Sequence, residues 1–138
     1  MTKDELKKLA KTNDGIKIKK DGKIYVSNPI LLREIIKSKE QDELTPAAVE
    51  MFMVLIENLS MALIYERPED REDCLAHAML DCLSYWRNFN PELSSNPFAY
   101  FTSVASNGIR KGWRSLGYKG EEFPKSLFTS LDNSIHTF

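Results

Sequence analysis

The sequence is poor in the side chains that most often carry chemistry, with two cysteines and two histidines in 138 residues. Cys74 and Cys82, eight positions apart, would stand about 12 Å apart along a helix axis, too far for a disulfide. They read as small core thiols of a protein in a reducing cytoplasm. Cys74, His77 and Cys82 lack a fourth ligand and the spacing of a zinc site, and His136 is remote from them. No Gly-rich phosphate loop, nucleophile elbow or carboxylate dyad stands out. The expectation is therefore no enzyme, no cofactor and no metal. There is no run of 18 apolar residues to span a bilayer. No apolar stretch follows the first lysines, as a secretory signal would require.

Charge is balanced overall, at 19 basic against 20 acidic residues, which argues against a polycationic nucleic-acid binder. The balance hides segregation. Residues 1–26 carry 8 basic and 4 acidic groups, residues 27–96 carry 6 and 13, and residues 97–138 carry 5 and 3. Between Pro97 and Gly120 there is no acid at all. An acidic middle between two basic ends is compatible with two partner surfaces of opposite sign, or with solvated helix faces that drift in charge.

The six prolines divide the chain. Asn28-Pro29, Thr45-Pro46 and Asn96-Pro97 each set a good N-cap before a proline at the first helical position, so three helices should open there. Pro68 and Pro91 flank a fourth, and Pro124 could open a short fifth. Fold class follows: a compact all-α domain of about four helices with short connections. Upstream, Ile16, Ile18, Ile24 and Val26 alternate with polar residues around Asp21-Gly22, a hairpin signal. Two strands alone are marginal in water, so residues 1–27 read as a basic arm or a hairpin. The first dozen residues read as a frayed amphipathic turn or as nothing ordered.

Helical periodicity assigns faces. From Pro29 to Glu40, Leu31, Leu32, Ile35 and Ile36 should be buried. From Pro46 to Ile64, Ala48, Phe52, Leu55, Leu59 and Ala62 form a core stripe. From Glu69 to Asn88, Leu75, Met79, Cys82, Leu83 and Trp86 should face inward, with Asp73, His77, Leu80, Asp81, Ser84 and Asn88 opposite. From Pro97, Phe98, Phe101, Ala105, Ile109, Gly112 and Leu116 share an inward face. Tyr100, Ser103, Val104, Asn107, Lys111 and Arg114 share the other, with Arg110 beside them and no carboxylate on that helix to neutralise it. Lys and Arg suit phosphates, Asn suits base edges and Tyr offers a stacking platform, so this face fits nucleic acid. A basic solvated helix with one exposed Tyr has the same pattern.

The stretch EDCLAHAMLDCLSYWRNFNPELSSNPFAYFTSVASNGIRKGWR, residues 72–114, resembles region 2 of bacterial sigma factors. It is most similar to the late-transcription sigma factors of T-even-type bacteriophages. Three features carry the likeness. A helix closes on Asn88-Phe89-Asn90, a short connector follows, and Asn96-Pro97-Phe98-Ala99-Tyr100-Phe101-Thr102 leads to Asn107 and a basic end. Upstream, Tyr25-Val26-Ser27-Asn28 before a Leu/Ile-rich helix also resembles the phage group, so the likeness covers residues 25–117.

The resemblance implies a phage-encoded promoter-specificity subunit, with residues 28–117 as a sigma region 2-like domain. It would dock on the clamp helices of the largest subunit of host RNA polymerase core. It would then help to melt a TA-rich promoter element about ten bases upstream of the start site, such steps being easily unstacked. Asp73 falls where sigma factors often carry an acid toward the clamp, with Ala76, His77, Leu80 and Ser84 on the same side. His77 departs from the family's usual acid, which implies either a weaker electrostatic part of docking or a dependence on pH through an imidazole. Tyr100 matches the aromatic that stacks on a flipped non-template adenine, and Asn107 the amide that reads the upstream edge of the element. Arg110, Lys111 and Arg114 would hold phosphates. Ser103 and Val104 replace the tryptophan pair of primary sigma factors, which favours the phage group and implies weaker intrinsic melting. A related possibility is a polymerase-binding regulator that docks on the clamp without reading DNA.

Residues 118–138 read as a short amphipathic tail in which Phe123, Leu127, Phe128, Leu131, Ile135 and Phe138 recur at helical spacing. In the phage group a hydrophobic C-terminal motif binds a sliding clamp. Here Phe128, Leu131 and Ile135 are the candidates for a sliding clamp or coactivator, although only Ser130-Leu131-Asp132 echoes that motif. The same tail could instead fold back on the domain. No helix-turn-helix follows residue 117, so this chain should read no upstream promoter box.

Overall fold

The computed structural model describes residues 1–118; Phe128, Leu131, Ile135 and the rest of the tail reading lie outside them. The chain is mostly helical, in the order α1 (Lys3–Thr12), β1 (Ile16–Ile18), β2 (Ile24–Val26), α2 (Asn28–Gln41), α3 (Pro46–Ser60), α4 (Pro68–Tyr85) and α5 (Pro97–Ser115). A 3-10 turn, Trp86–Asn88, continues α4.

The N-terminal residues are more ordered than periodicity indicated. Thr2 and Glu5 form a reciprocal capping box: Glu5 N–H donates to Thr2 Oγ1 at 3.2 Å, and Thr2 N–H to Glu5 Oε2 at 3.3 Å. The helix behind it buries Leu6. Asn13 then stitches the α1–β1 junction to α3, donating to Ala47 O and Glu50 Oε1 while accepting from Gly15 N–H. The hairpin is antiparallel, with Ile16 opposite Val26 and Ile18 opposite Ile24. Gly22 takes φ +87 in its turn, a conformation that L side chains rarely adopt. Ile16, Ile24 and Val26 are buried in the same core as the helices, and Asn58 of α3 donates to Ile24 O at 2.8 Å. Residues 1–27 are thus part of the packed body, and the shared core supplies the burial that two strands lack alone.

Thr45 and Asn96 cap as the sequence indicates, accepting from Ala48 N–H and Ala99 N–H. Asn28 does not. The cap position of α2 is Ser27, and the Asn28 side chain leaves its own helix. Its Oδ1 accepts from Phe98 N–H at 3.0 Å and its Nδ2 donates to Asn96 Oδ1 at 3.0 Å, so Asn28 caps α5 from across the core. In α2, Leu31 and Ile35 are fully buried, but Ile36 is exposed at the edge of the apolar arc. α3 ends at Ser60 rather than Ile64, which leaves Ala62 and Ile64 in an exposed turn. Its stripe of Ala48, Phe52, Leu55 and Leu59 is buried, and Phe52 packs on Phe101 of α5 with ring centroids 4.5 Å apart.

Two buried carboxylates join helices. Glu34 of α2 accepts from Thr45 Oγ1 at 2.9 Å and pairs with Arg33 and Lys37. Ser38 Oγ, which donates to Glu34 O, accepts from Thr45 N–H. Glu57 of α3 pairs with Arg71 of α4, whose guanidinium also reaches Ser60 Oγ.

Candidate nucleic-acid interface

The candidate site is set by the crossing of α4 and α5. α5 carries glycines at 108 and 112, one turn apart on the face toward α4. A Cβ on Gly108 would lie 2.6 Å from Ala78 Cα, and one on Gly112 would lie 2.9 Å from Cys74 Cα. Such separations are impossible for real side chains, so the backbones meet directly at small residues on both helices.

This contact fixes which face of α4 looks at α5, and it differs from the periodicity reading. The inward line is Cys74, Ala78, Cys82 and Trp86. Leu75 and Met79 are half-buried and Leu83 is exposed. Burial pushes the Cys82 thiol up to about 12 and the Cys74 thiol up to about 11, as befits packing residues rather than nucleophiles.

Beside this contact lies a groove of about 380 Å³ lined by Asp81, Tyr85, Val104, Asn107, Arg110, Lys111 and Arg114. Five of the seven residues expected to meet DNA therefore line one concavity. Ser103 is exposed outside that lining, on the same helix. Tyr100 departs from the expectation. Its ring is half-buried, 5.6 Å from the Phe89 ring centroid and 5.0 Å from that of Phe101. Its hydroxyl donates to Tyr85 O at 2.8 Å. The chain following the 3-10 turn brings Phe89 over the start of α5, which the spacing of α5 alone could not reveal. Burial, with a smaller effect of Cys82, raises the Tyr100 phenol above its ordinary range.

The expectation that this face has no neutralising carboxylate is corrected by α4. Asp81 Oδ2 accepts from Lys111 Nζ at 2.9 Å, and this hydrogen bond raises the Lys111 ammonium above its usual value. Asp81 and Tyr85 were missed as groove residues because they were read from α4 alone. The signal that finds them is the matching of Gly108 and Gly112 with Ala78 and Cys74. Once those pairs are brought together, Asp81 must fall beside Lys111.

The opposite side of α4 carries the residues expected to dock a partner. Asp73, Ala76, Leu80 and Ser84 are exposed, Leu80 at 62%. Leu83 joins them at 41%, giving an apolar pair one turn apart, and Glu69 and Glu72 add exposed acids at the start of the helix. His77 does not belong to this face. It is half-buried in the α4–α5 seam, where its ring edge lies 3.1 Å from the position of a Gly112 Cβ. The tail end of α5 is tied back to α4 by Tyr118, which stacks on Trp113 at 4.0 Å and donates to buried Asp70 at 2.8 Å. Its hydroxyl oxygen also accepts from Glu66 N–H.

Among the described residues no cluster of His, Cys, Asp and Glu could hold a metal ion, and no helix is long and apolar enough to cross a membrane. Comparison with protein-family models, curated proteins and solved structures returns no match to this chain.

Proposed function

We propose that the chain is a phage-encoded sigma factor that binds host RNA polymerase core in the cytoplasm of the infected bacterium. In this reading it directs initiation at a TA-rich late promoter element, acting by binding and not by catalysis. One observation carries the reading: two adjoining surfaces of opposite character on a single rigid helix pair. The outer face of α4 offers Asp73, Ala76, Leu80, Leu83 and Ser84, an apolar centre in an acidic and polar rim suited to a basic protein partner. The α4–α5 groove offers Asn107 with Arg110, Lys111 and Arg114, an amide among cations suited to a base edge beside phosphates of the non-template strand. The sequence resemblance to sigma region 2 assigns the same two roles to the same two helices. A sliding clamp or coactivator would engage Phe128, Leu131 and Ile135.

A second reading, a clamp-docked regulator that does not read DNA, is favoured by the state of Tyr100 and Lys111. The Tyr100 ring is packed against Phe89 with its hydroxyl satisfied, and the Lys111 charge is matched by Asp81. Run-off transcription on phage DNA with purified host core separates the two. The sigma reading requires discrete start sites that need this protein. It also requires that Asn107→Ala with Arg114→Ala, both exposed in the fold, abolish those starts while the protein still copurifies with core. Leu80→Asp should do the reverse and release the protein from core. Core binding without any specific initiation would sink the first reading and leave the second.

A further inference from the structure

A second basic surface lies outside both faces described above. Residues 1–26 contain eight lysines, and among the described residues none of their ammonium groups takes part in an ion pair. Three of the four acids of the same segment already have local partners. Glu5 accepts from Thr2 N–H in the capping box, Asp21 accepts from Lys23 N–H in the hairpin turn, and Asp14 holds Arg33 through two hydrogen bonds of 2.8 and 2.9 Å. Asp14 is spent mainly on Arg33, with Lys17 acting on it at longer range, so eight lysines against four acids leave this region with a net positive charge.

The hairpin orders part of that charge. The pairing Ile16–Val26, Lys17–Tyr25 and Ile18–Ile24 turns Ile16, Ile24 and Val26 into the core. Alternation then sets Lys17 and Tyr25 on the outer face. Lys19 N–H donates to Lys23 O at 2.8 Å and Lys19 O accepts from Gly22 N–H at 2.9 Å, so the turn closes directly beyond the last pair with Lys19 and Lys23 exposed at its two ends beside that face. Lys19 Nζ sits 5.2 Å from the Tyr25 ring centroid. The outer face and the adjoining turn thus carry three lysines around one tyrosine on a two-stranded ribbon.

We infer that this ribbon face is a contact surface for the phosphate backbone of duplex DNA, independent of base sequence. A two-stranded ribbon fits the width of the major groove. Lysine as a strongly hydrated point charge suits contacts that carry no sequence information, whereas planar pairing with a protein carboxylate would favour arginine. Insertion into a lipid surface is disfavoured because Leu6 of α1 and Ile16, Ile24 and Val26 of the hairpin are used by the core, which leaves Ile18 alone exposed among the large apolar side chains of the hairpin. The inference depends on no part of the promoter reading, since it concerns binding by the free protein to any sequence.

The test is fluorescence anisotropy of the full chain with a random-sequence duplex of about 30 base pairs, titrated with salt and without polymerase. Replacing Lys17, Lys19 and Lys23 together by Gln should weaken binding about tenfold at low salt and flatten the slope of log K against log salt by nearly three. Lys17→Arg, Lys19→Arg and Lys23→Arg together should keep the slope, which separates lost charge from a damaged hairpin. An unchanged slope in the Gln variant overturns the inference, as does an equal loss in the Gln and Arg variants. If the Gln variant loses binding to vesicles of anionic lipid, or to core polymerase, while its duplex binding is intact, the surface serves a different partner and the inference falls.

Discussion

The α4–α5 seam and the α2–α3 junction solve the same problem, holding two helices together, by opposite means. At the seam Gly108 and Gly112 bring one backbone against Ala78 and Cys74 of the other, so specificity comes from missing side chains. At the junction the buried Glu34 carboxylate, Ser38 and Thr45 hold the α2–α3 turn through hydrogen bonds across helices. The first contact is set by volume; the second adds a dependence on pH through the Glu34 carboxylate. The candidate groove lies beside the contact set by volume, so its shape should respond most to added atoms at positions 108 and 112.

The strongest way to break this comparison is Gly108→Ala. The new methyl would lie 2.6 Å from Ala78 Cα and must displace the α4 backbone, so the cost should fall toward the upper end of the about 1–3 kcal/mol for overpacking, above the roughly 1 kcal/mol that alanine returns in helix propensity. Thermal unfolding should show a loss of at least several degrees, and the groove residues beside the crossing should shift in their amide resonances. A variant as stable as the parent would mean that the helices do not meet backbone to backbone.

Glu34→Gln probes the other side of the comparison. Burial alone would raise the Glu34 carboxyl, but hydrogen bonds from Thr45 and Arg33 and the charge of Lys37 hold it below its ordinary value. A depressed pKa contributes stability that is complete above the unfolded value of about 4.3–4.5 and disappears as pH falls through the folded value. The variant should therefore be less stable by about 1–2 kcal/mol at neutral pH. That gap should close in denaturant titrations carried below about pH 4.5. A gap that does not change with pH would assign the effect to packing instead.

The smallest expected effect sharpens the contrast within α5. Ser106 Oγ is buried with no hydrogen-bond partner among the described residues. Ser106→Ala should stabilise the protein by up to about 1 kcal/mol in chemical denaturation, since an unsatisfied buried hydroxyl is removed. One helix would then reject an added methyl at position 108 and gain from a lost hydroxyl at position 106.

Much of the fold was legible in the sequence because local signals and core packing agree. Thr45-Pro46 and Asn96-Pro97 mark helix starts by side-chain caps, Asp21-Gly22 marks the hairpin turn, and the large residues of α3 mark its buried face. α1 was missed although Thr2 and Glu5 spell a capping box, because one buried leucine makes no stripe. The face of α4 was misjudged for a physical reason. Periodicity weighs large apolar side chains, so Leu75, Met79 and Leu83 drew the inward face toward themselves. The true seam is made of Cys74, Ala78 and Cys82, whose value lies in being small. The candidate site shows the same division. The basic residues of α5 were legible on one helix, whereas Asp81 against Lys111 and Phe89 over Tyr100 arise only when two segments meet.

Asn28 gives the fold a sequence of events. One N–H in the first turn of α5, that of Phe98, is met by a side chain 70 positions earlier in the chain, beside the local cap that Asn96 gives Ala99 N–H. Loop closure over that distance is slow compared with forming a helix turn. The Phe98 N–H therefore lacks this partner until α2 has packed beside the start of α5, although Asn96 already caps the helix locally. The tie couples the groove to a helix that lines no part of it, so loosening α2 would reach the cations of α5 through one side chain.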